Sequence, residues 1–274
     1  MGGKPNASRF EYNATEGAPA PGAPLPPPAP APVSLARMLS KLGYGTRKDA
    51  ERLLAARRVA TVGGTVLCDG DRAAHHDIRV DGEPLDPMPG SVVLLHKPVG
   101  YVCSTSDRPP LVYDLLPSRF PQRDPVMAPV GRLDADTSGL LLLTDDGALN
   151  HQLTSPRWHL PKCYEVTLAE SLRGHESALF AAGTLMLQGE RTPLLPATLD
   201  VVDERRARLI IHEGRYHQVR RMFAAVGNHV SSLQRTSFGP LTLGVLPAGT
   251  WRVLTDDEVA GLRDAVRDAK AATR

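Results

Sequence analysis

The sequence feature that most limits the possible folds is an acid-bearing loop followed directly by four consecutive leucines. The loop spans residues 131–139, and the leucines occupy positions 140–143. Four apolar residues are too few to cross a membrane but match a buried β-strand. The segment Asp145-Asp146-Gly147 predicts a turn that ends this strand and begins a helix. A polar loop held by a buried strand can position chemistry, so Asp134 is the first candidate functional residue.

Length, charge and cysteine content exclude several classes of protein. A chain of 274 residues can bury one large core or two smaller ones. Its net charge of +2 is too small to predict nucleic-acid binding, so local charge clusters must decide. Cys68, Cys103 and Cys163 form no CxxC pair, which disfavours a disulfide framework or a zinc site. Together with the lack of a membrane-spanning run or signal-peptide pattern, this predicts a cytoplasmic protein.

Changes in composition predict the domain organisation. Residues 1–32 are rich in Pro, Ala and Gly and bury too little apolar surface to offset their ordering entropy, so we expect a disordered tail. Residues 33–88 are expected to form a small module of two helices and short strands. The connector 86–90, DPMPG, separates it from a catalytic domain predicted over residues 91–267. Residues 268–274 are expected to fray.

The small module carries a cluster of basic side chains that could contact RNA. They are Arg37, Lys41, Arg47, Lys48, Arg52, Arg57 and Arg58. On charge alone, a solvated helix face is the default interpretation. However, the segments 35–40 (LARMLS), 46–53 (TRKDAERL) and 58–64 (RVATVGG) resemble an S4 RNA-binding domain. The resemblance implies a basic helix face that lies against structured RNA, where it neutralises phosphates.

The larger part of the chain alternates strand-like and helix-like patterns. Strands are predicted over residues 92–95, 164–168, 197–202 and 206–211. Helices are predicted over residues 172–182, from about residue 214, and after a capping box formed by Thr255 and Glu258. We therefore expect an α+β fold in which a mixed, mainly antiparallel sheet is flanked by helices.

The residues around Asp134 allow three interpretations. Asp134 and Asp136 could hold a metal with the carboxylates of Asp145 and Asp146, although a full apolar strand separates the two pairs. Asp134 could instead be structural and pair with Arg132. It could also be a single catalytic carboxylate that acts at the anomeric carbon of a nucleotide.

Three ordered motifs favour the catalytic interpretation. Residues 131–140 (GRLDADTSGL), 162–166 (KCYEV) and 213–222 (EGRYHQVRRM) are similar to the motifs of the RsuA-type pseudouridine synthases. The resemblance implies that uridine is isomerised to pseudouridine without a cofactor or a metal. It further implies that Asp134 is catalytic, that Arg220 pairs with it, and that Tyr164 packs on the target base.

Other residues of these motifs acquire expected roles from the same resemblance. Arg132 is expected to fill the space left by an extruded base. In the third motif, RNA contacts are expected from Arg215, His217, Gln218 and Arg221. At His96 this group more often has Asn, and we expect His96 to be hydrogen-bonded rather than to act as an acid.

The substrate implied by the resemblance is ribosomal RNA, either free or in an assembling small subunit, acted on by a monomer. Residues 100–104 (GYVCS), 153–157 (LTSPR) and 223–229 (FAAVGNH) favour small-subunit rRNA and its uridine 516 as the target. Large-subunit rRNA is the alternative within the family. A non-catalytic ribosome-assembly factor is the alternative from a different class. Whether the aspartate adds to the sugar or removes a proton to give a glycal stays open at this level.

Overall fold

The structure is a computed structural model that describes residues 34–104, 108 and 110–272. The tail predicted over residues 1–32 and the final residues 273 and 274 lie outside the described residues. The described helices are α1 (Leu35–Lys41), α2 (Arg47–Ala55), α3 (Gly147–Thr154), α4 (Glu176–Ala181), α5 (Gln218–Ala225) and α6 (Asp256–Ala272). The described strands are β1 (Val59–Thr61), β2 (Ile78–Val80), β3 (Glu83–Pro84), β4 (Val92–Lys97), β5 (Ala128–Pro129), β6 (Ser138–Thr144), β7 (Lys162–Leu168), β8 (Thr198–Val201), β9 (Arg206–Ile211), β10 (Val230–Phe238), β11 (Leu241–Thr242) and β12 (Trp251–Val253).

Side-chain caps fix the starts of several helices, and the one formed by Thr255 and Glu258 lies where the sequence predicted it. The Ser34 hydroxyl accepts a hydrogen bond from the Arg37 backbone N–H at the start of α1. Thr46 forms a capping box with Asp49 at α2, and the side chains of Thr255 and Glu258 bond each other's backbone N–H at α6. Side-chain caps satisfy backbone donors that lack a partner within the helix.

The small module contains a three-stranded antiparallel sheet in the order β1-β2-β3. Its two helices pack on a core of their own, in which Leu39, Ala50 and Ile78 are fully or almost fully buried. Residues 65–67 follow a tight turn at Gly63 and Gly64, and they form a single bridge, Ala60 to Val66, rather than a strand.

The large sheet has the strand order β12-β4-β6-β10-β7-β9-β8, with β5 paired to β6 and β11 to β10. Only the contact between β6 and β10 is parallel among the described strand pairs. With helices packed on the sheet, this is the α+β fold with a mixed, mainly antiparallel sheet that the sequence predicted.

Strand β6 divides the hydrophobic core because successive side chains point to opposite faces of a sheet. Leu141 and Leu143 enter the cluster that also contains Phe180 of α4. Leu140 and Leu142 enter a second cluster with residues of α3 and α6. All four leucines are fully buried. Strand β6, which follows the loop that contains Asp134, is therefore packed against hydrophobic residues on both faces.

Three elements differ from the sequence predictions. Strand β10 was not predicted because polar residues such as Gln234 and Arg235 interrupt its apolar alternation. Helix α4 is shorter than predicted. Helix α6 continues to Ala272, past residue 268, from which fraying was predicted.

Ion pairs join the connector to the large sheet. Arg119 donates two hydrogen bonds to the Asp86 carboxylate, at 2.6 and 2.9 Å. Arg123 and Asp145 form a buried pair at 2.7 Å, and Arg123 also donates to the backbone oxygen of Pro87.

None of the described helices combines the length and apolar character that crossing a membrane would require.

Candidate active site

A cavity of about 390 Å³ opens where the loop before β6 meets β7 and α5. It brings together the four residues that the sequence predicted to be catalytic: Arg132, Asp134, Tyr164 and Arg220. A volume of this size lies within the range of small-molecule sites in proteins. Residues 131–137, which we call the Asp134 loop, form one wall.

Lys97 holds the Asp134 loop from beneath, a role that sequence reasoning missed. Its side chain is fully buried at the end of β4. The Nζ atom donates to the backbone oxygens of Asp134, Ala135 and Thr137, at 3.0, 3.3 and 2.7 Å. Burial lowers the pKa of Lys97, and the negative groups nearby offset this only in part. A lysine at the end of a buried apolar strand was the signal available in the sequence.

The Asp134 carboxylate faces His217 rather than an arginine. His217 Nε2 lies 3.4 Å from Asp134 Oδ1, and each side chain is about one third exposed. His217 has a left-handed backbone, with φ of 48°, just before α5. Its ring stacks on Tyr216, with centroids 3.9 Å apart. Tyr216 is 75% exposed and also lines the cavity, so a flat aromatic surface borders Asp134.

The predicted ion pair between Arg220 and Asp134 is replaced by one with Asp136. Arg220 Nη2 lies 3.0 Å from both the Asp136 carboxylate and the Asp136 backbone oxygen, and Nη1 donates to Val230 O at 2.9 Å. The prediction was wrong in its partner because α5 places the guanidinium beside the far end of the Asp134 loop. Arg220 therefore fixes this loop against the start of β10.

Three side chains predicted to contact RNA are hydrogen-bonded to protein groups in this structure. Arg215 donates to Glu213 at 2.9 Å and to the backbone oxygens of Thr192 and Pro193. Gln218 is only 4% exposed and accepts from the Arg215 backbone N–H. These bonds use most of the donors that RNA would need.

Arg221 is held in the same way. Its Nη1 lies 2.8 Å from Glu190, and Nη2 donates to the backbone oxygen of Gln188 at 2.6 Å. The bonds of Arg215, Gln218 and Arg221 brace the loop before α5, and the RNA contacts expected of these residues stay predictions.

Tyr164 combines a core position with access to the cavity. It lies on β7 between Leu209 of β9 and Arg235 of β10, and only 8% of it is exposed. Leu133 and Leu233, which also line the cavity, are buried as well. Together they give the site an apolar floor beneath a polar rim.

The two acidic pairs of the sequence serve different ends of β6. Asp145 accepts from Arg123 and from the Gly90 backbone N–H, and Asp146 caps α3 through the Leu149 backbone N–H. Both therefore do more than form an ordinary turn. Among the described residues, no group of three His, Cys, Asp or Glu side chains is placed to hold a metal ion. The metal cluster considered from the sequence is thus not assembled.

His96 is hydrogen-bonded through both ring nitrogens. Its Nδ1 lies 2.7 Å from the Leu246 backbone oxygen, and its Nε2 lies 3.0 Å from Gln234 Nε2. Since a carbonyl oxygen can only accept, Nδ1 carries the proton and Nε2 accepts from the amide. The ring links β4 to β10 across the sheet and stands as the hydrogen-bonded residue that the sequence predicted.

The basic residues of the small module fall into two groups. Arg47, Arg52 and Arg58 form ion pairs with Glu51, Asp49 and Asp81, at 3.1, 2.9 and 2.6 Å. In the described part of the chain, no hydrogen bond or ion pair engages the side chains of Arg37, Lys41, Lys48 and Arg57. The second group leaves its positive charge uncompensated.

Comparison with known proteins gives consistent similarities. A family model described as RNA pseudouridylate synthase matches residues 91–225. Ribosomal small subunit pseudouridine synthase A of Yersinia pestis is 44% identical over 237 residues, which cover 83% of this chain and 97% of the relative. The protein of the same name from Escherichia coli (strain K12) is 42% identical over 226 residues, or 77% of this chain and 94% of the relative. A crystal structure of a pseudouridylate synthase is similar with a TM-score of 0.60 and 37% identity, and covers 84% of this chain and 100% of that one.

Proposed function

Because the chain belongs to the RNA pseudouridylate synthase family, we propose that it isomerises a uridine of small-subunit ribosomal RNA, with Asp134 as the catalytic carboxylate. Membership confirms the family resemblance predicted from the three sequence motifs. The enzyme is therefore a pseudouridine synthase. The observation that carries the assignment of Asp134 is the position of its carboxylate, beside His217 in the cavity that Tyr164 also lines.

The reaction rearranges one nucleotide without adding or removing an atom. The bond from C1′ to N1 breaks and a bond from C1′ to C5 forms, while C5 loses a proton and N1 gains one. A carboxylate can begin this sequence by adding to C1′ or by removing a proton beside it. Both routes require Asp134 to face the sugar, and the apolar floor around Tyr164 gives the detached base a surface on which to turn.

Access to the sugar and base requires extrusion of the uridine, since a stacked nucleotide shields C1′ and C5. Arg132 is exposed at the cavity mouth and lies two residues before Asp134. We assign it to the space that the extruded base leaves. The exposed Tyr216 can stack on an unpaired base of the same RNA, as aromatic side chains do in single-stranded RNA recognition.

The proposed substrate follows from the relatives named above, which are small-subunit enzymes matched over nearly their whole length. We propose uridine 516 as the target, with rRNA or an assembling small subunit as the partner of a monomeric enzyme. In this proposal, residues 33–88 bind RNA and residues 91–267 catalyse the reaction.

Replacing Asp134 by Asn tests the proposal. We expect Asp134→Asn to lower the rate of pseudouridine formation by roughly a thousandfold or more, because the amide can neither attack nor accept a proton. RNA affinity should stay within about twofold, since the side chain keeps its shape. The measurement is pseudouridine mapping across all rRNA in cells that lack the gene and carry each variant.

The matched control is Asp200→Asn, at an exposed position on β8. It should leave the pseudouridine map of wild type unchanged. Full modification with Asp134→Asn would overturn the catalytic assignment. If cells that lack the gene were fully modified as well, a non-catalytic ribosome-assembly factor would be favoured. A modified position that appears in large-subunit rRNA would overturn the proposed substrate alone.

A further inference from the structure

A second cavity, of about 160 Å³, adjoins the Asp134 cavity and has one buried and one partly buried cation in its wall. It shares Arg132, Tyr164 and Gly214 with the first cavity, so the two spaces are neighbours. The cations are Lys162 at the start of β7 and Arg235 on β10. The reaction described above uses neither of them.

Arg235 is buried with one nitrogen unused. Only 2% of the residue is exposed, and its Nε donates to the Leu140 backbone oxygen at 2.8 Å. Its guanidinium lies 5.4 Å from the ring centre of Phe238. The Nη2 atom is buried without a hydrogen-bond partner. A buried donor left unpaired carries a desolvation cost, which a bound acceptor would remove.

Lys162 is partly buried beside this guanidinium. Its Nζ donates to the Leu160 backbone oxygen at 2.8 Å and lies 5.5 Å from the Phe238 ring centre. Burial, followed by repulsion from Arg235, lowers the pKa of Lys162 to about 8, and Glu213 offsets this only in part. The surroundings therefore make the charged form of Lys162 less favourable than it is in water, and a bound anion would favour it.

The nearby acid does not balance the two cations. Glu213 also lines the second cavity, but its carboxylate accepts from Arg215 Nε at 2.9 Å and from the Leu195 backbone N–H at 2.8 Å. Within residues 34–104, 108 and 110–272, neither Lys162 nor Arg235 forms an ion pair with a carboxylate. The cavity thus carries an excess of positive charge that the protein leaves uncompensated.

We propose that this cavity binds a phosphodiester group of the RNA chain adjacent to the nucleotide in the Asp134 cavity. The proposal rests on the proposed function, because it takes RNA as the ligand. A phosphodiester has one negative charge and two unesterified oxygens, so it can accept from Lys162 and from Arg235 Nη2 together. The shared wall would hold the RNA backbone in place while the base is extruded.

The first test measures RNA binding by the full chain over a series of salt concentrations. We expect Lys162→Gln to weaken binding about tenfold and to reduce the slope of log K against log salt by about 0.7 to 0.9, the value for one phosphate contact. Lys162→Arg should restore the slope. The control Lys270→Gln removes a lysine from α6 that packs over Trp158 outside both cavities, and should change neither quantity. An unchanged slope in Lys162→Gln would overturn the proposal.

The second test makes the phosphate neutral instead of the lysine. Methylphosphonate linkages replace, one at a time, the two phosphodiesters that flank the mapped uridine in a synthetic RNA. One replacement should cost wild type about tenfold in affinity and cost Lys162→Gln clearly less, because the variant has already lost one of the two cations that contact this phosphate. Additive losses would place the phosphate elsewhere.

These measurements separate the two proposals. RNA binding is measured without turnover. An unchanged salt slope in Lys162→Gln therefore overturns the phosphate site even if pseudouridine forms normally. If mapping finds no uridine that depends on this protein, the proposed function fails whatever the slope shows. In that case, the slope on bulk small-subunit rRNA still reports whether Lys162 contacts a phosphate.

Discussion

Lys97 illustrates how a single buried charge can order a site. Burial lowers its pKa, so the folded state binds the Lys97 proton less readily than the unfolded state does. For a lysine, this sign means that the charge opposes folding at neutral pH, and that the penalty fades as pH rises through the lowered pKa. Its hydrogen bonds to the Asp134 loop therefore serve position more than stability.

At the residue scale, we predict that Lys97→Met damages activity more than folding. The methionine fills a similar space without a buried charge, but it leaves the loop oxygens of Asp134 and Thr137 without their donor. A displacement of the loop by about 1 Å is enough to lower the single-turnover rate by about 10- to 100-fold. Hydrogen exchange of residues 131–137 should become faster, while the free energy of unfolding changes by less than about 2 kcal/mol.

Lys270→Met is the control for losing a lysine, and it should match wild type in rate and in hydrogen exchange. A Lys97→Met enzyme with the wild-type single-turnover rate would show that the loop keeps its position without this ammonium group. Lys97 would then have a role in packing only.

At the scale of elements, the parallel contact between β6 and β10 sets the geometry of the site. Gly139 of β6 lies opposite Arg235 of β10, with φ of 110°. A Cβ atom at this position would collide with the Arg235 backbone oxygen and would lie 2.6 Å from its nitrogen. Only glycine allows the two strands to approach this closely.

We predict that Gly139→Ala destabilises the protein by roughly 2–4 kcal/mol, because it combines a backbone clash with an unfavourable φ. Chemical denaturation measures the change in free energy of unfolding. Activity should fall as well at temperatures where the variant is folded. The reason is that β10 begins at Val230, whose backbone oxygen accepts a hydrogen bond from Arg220, and then continues into the wall of the cavity. The control Gly147→Ala, at the first position of α3 with open space around it, should change stability by less than about 1 kcal/mol. Equal effects of the two substitutions would contradict the role of the close approach.

At the scale of the whole molecule, the small net charge of +2 hides the fact that four basic side chains of the small module have no acidic partner among the described residues. Deleting the module would be a poor test of RNA binding, because Asp86 pairs with Arg119 and the Lys41 backbone oxygen accepts from the Asp124 N–H. Removing these groups would leave Arg119 without its carboxylate. Substitutions in the full chain avoid this problem.

We predict that neutralising the uncompensated cations weakens RNA binding and flattens its salt dependence. Arg37, Lys41, Lys48 and Arg57 are changed together to Gln. If all four contact phosphates, the slope of log K against log salt should fall by about 3. RNA affinity is measured from low to moderate salt in the full chain.

The control changes a charge pair that is already balanced. Arg58→Gln combined with Asp81→Asn removes an ion pair of 2.6 Å and leaves the net charge of the module unchanged. It should leave the salt slope as in wild type. If the four-residue variant also keeps the wild-type slope, the basic helices are a solvated surface and the module does not bind RNA through them.

Features that depend on neighbours in the chain were predictable from the sequence. The caps at Ser34, Thr46 and Thr255 act within three or four residues, so a short pattern specifies them. The apolar run at 140–143 could be recognised as a buried strand, since burial on both faces requires it to be apolar throughout. The motif around Asp134 likewise identified its loop, and the family, before any contact was known.

Only the tertiary structure decided which partners these groups have. Arg220 pairs with Asp136 instead of Asp134. Which of the two carboxylates it meets depends on how α5 packs against Asp136, which lies 84 residues earlier in the chain. Lys162 and Arg235 lie close to each other because β7 and β10 are neighbours in the sheet. Local patterns record how the backbone turns and which face is buried, whereas ion pairs and cavities depend on distances of a few ångströms between remote segments. Those distances are set by the packing of the whole core, and no short stretch of sequence contains them.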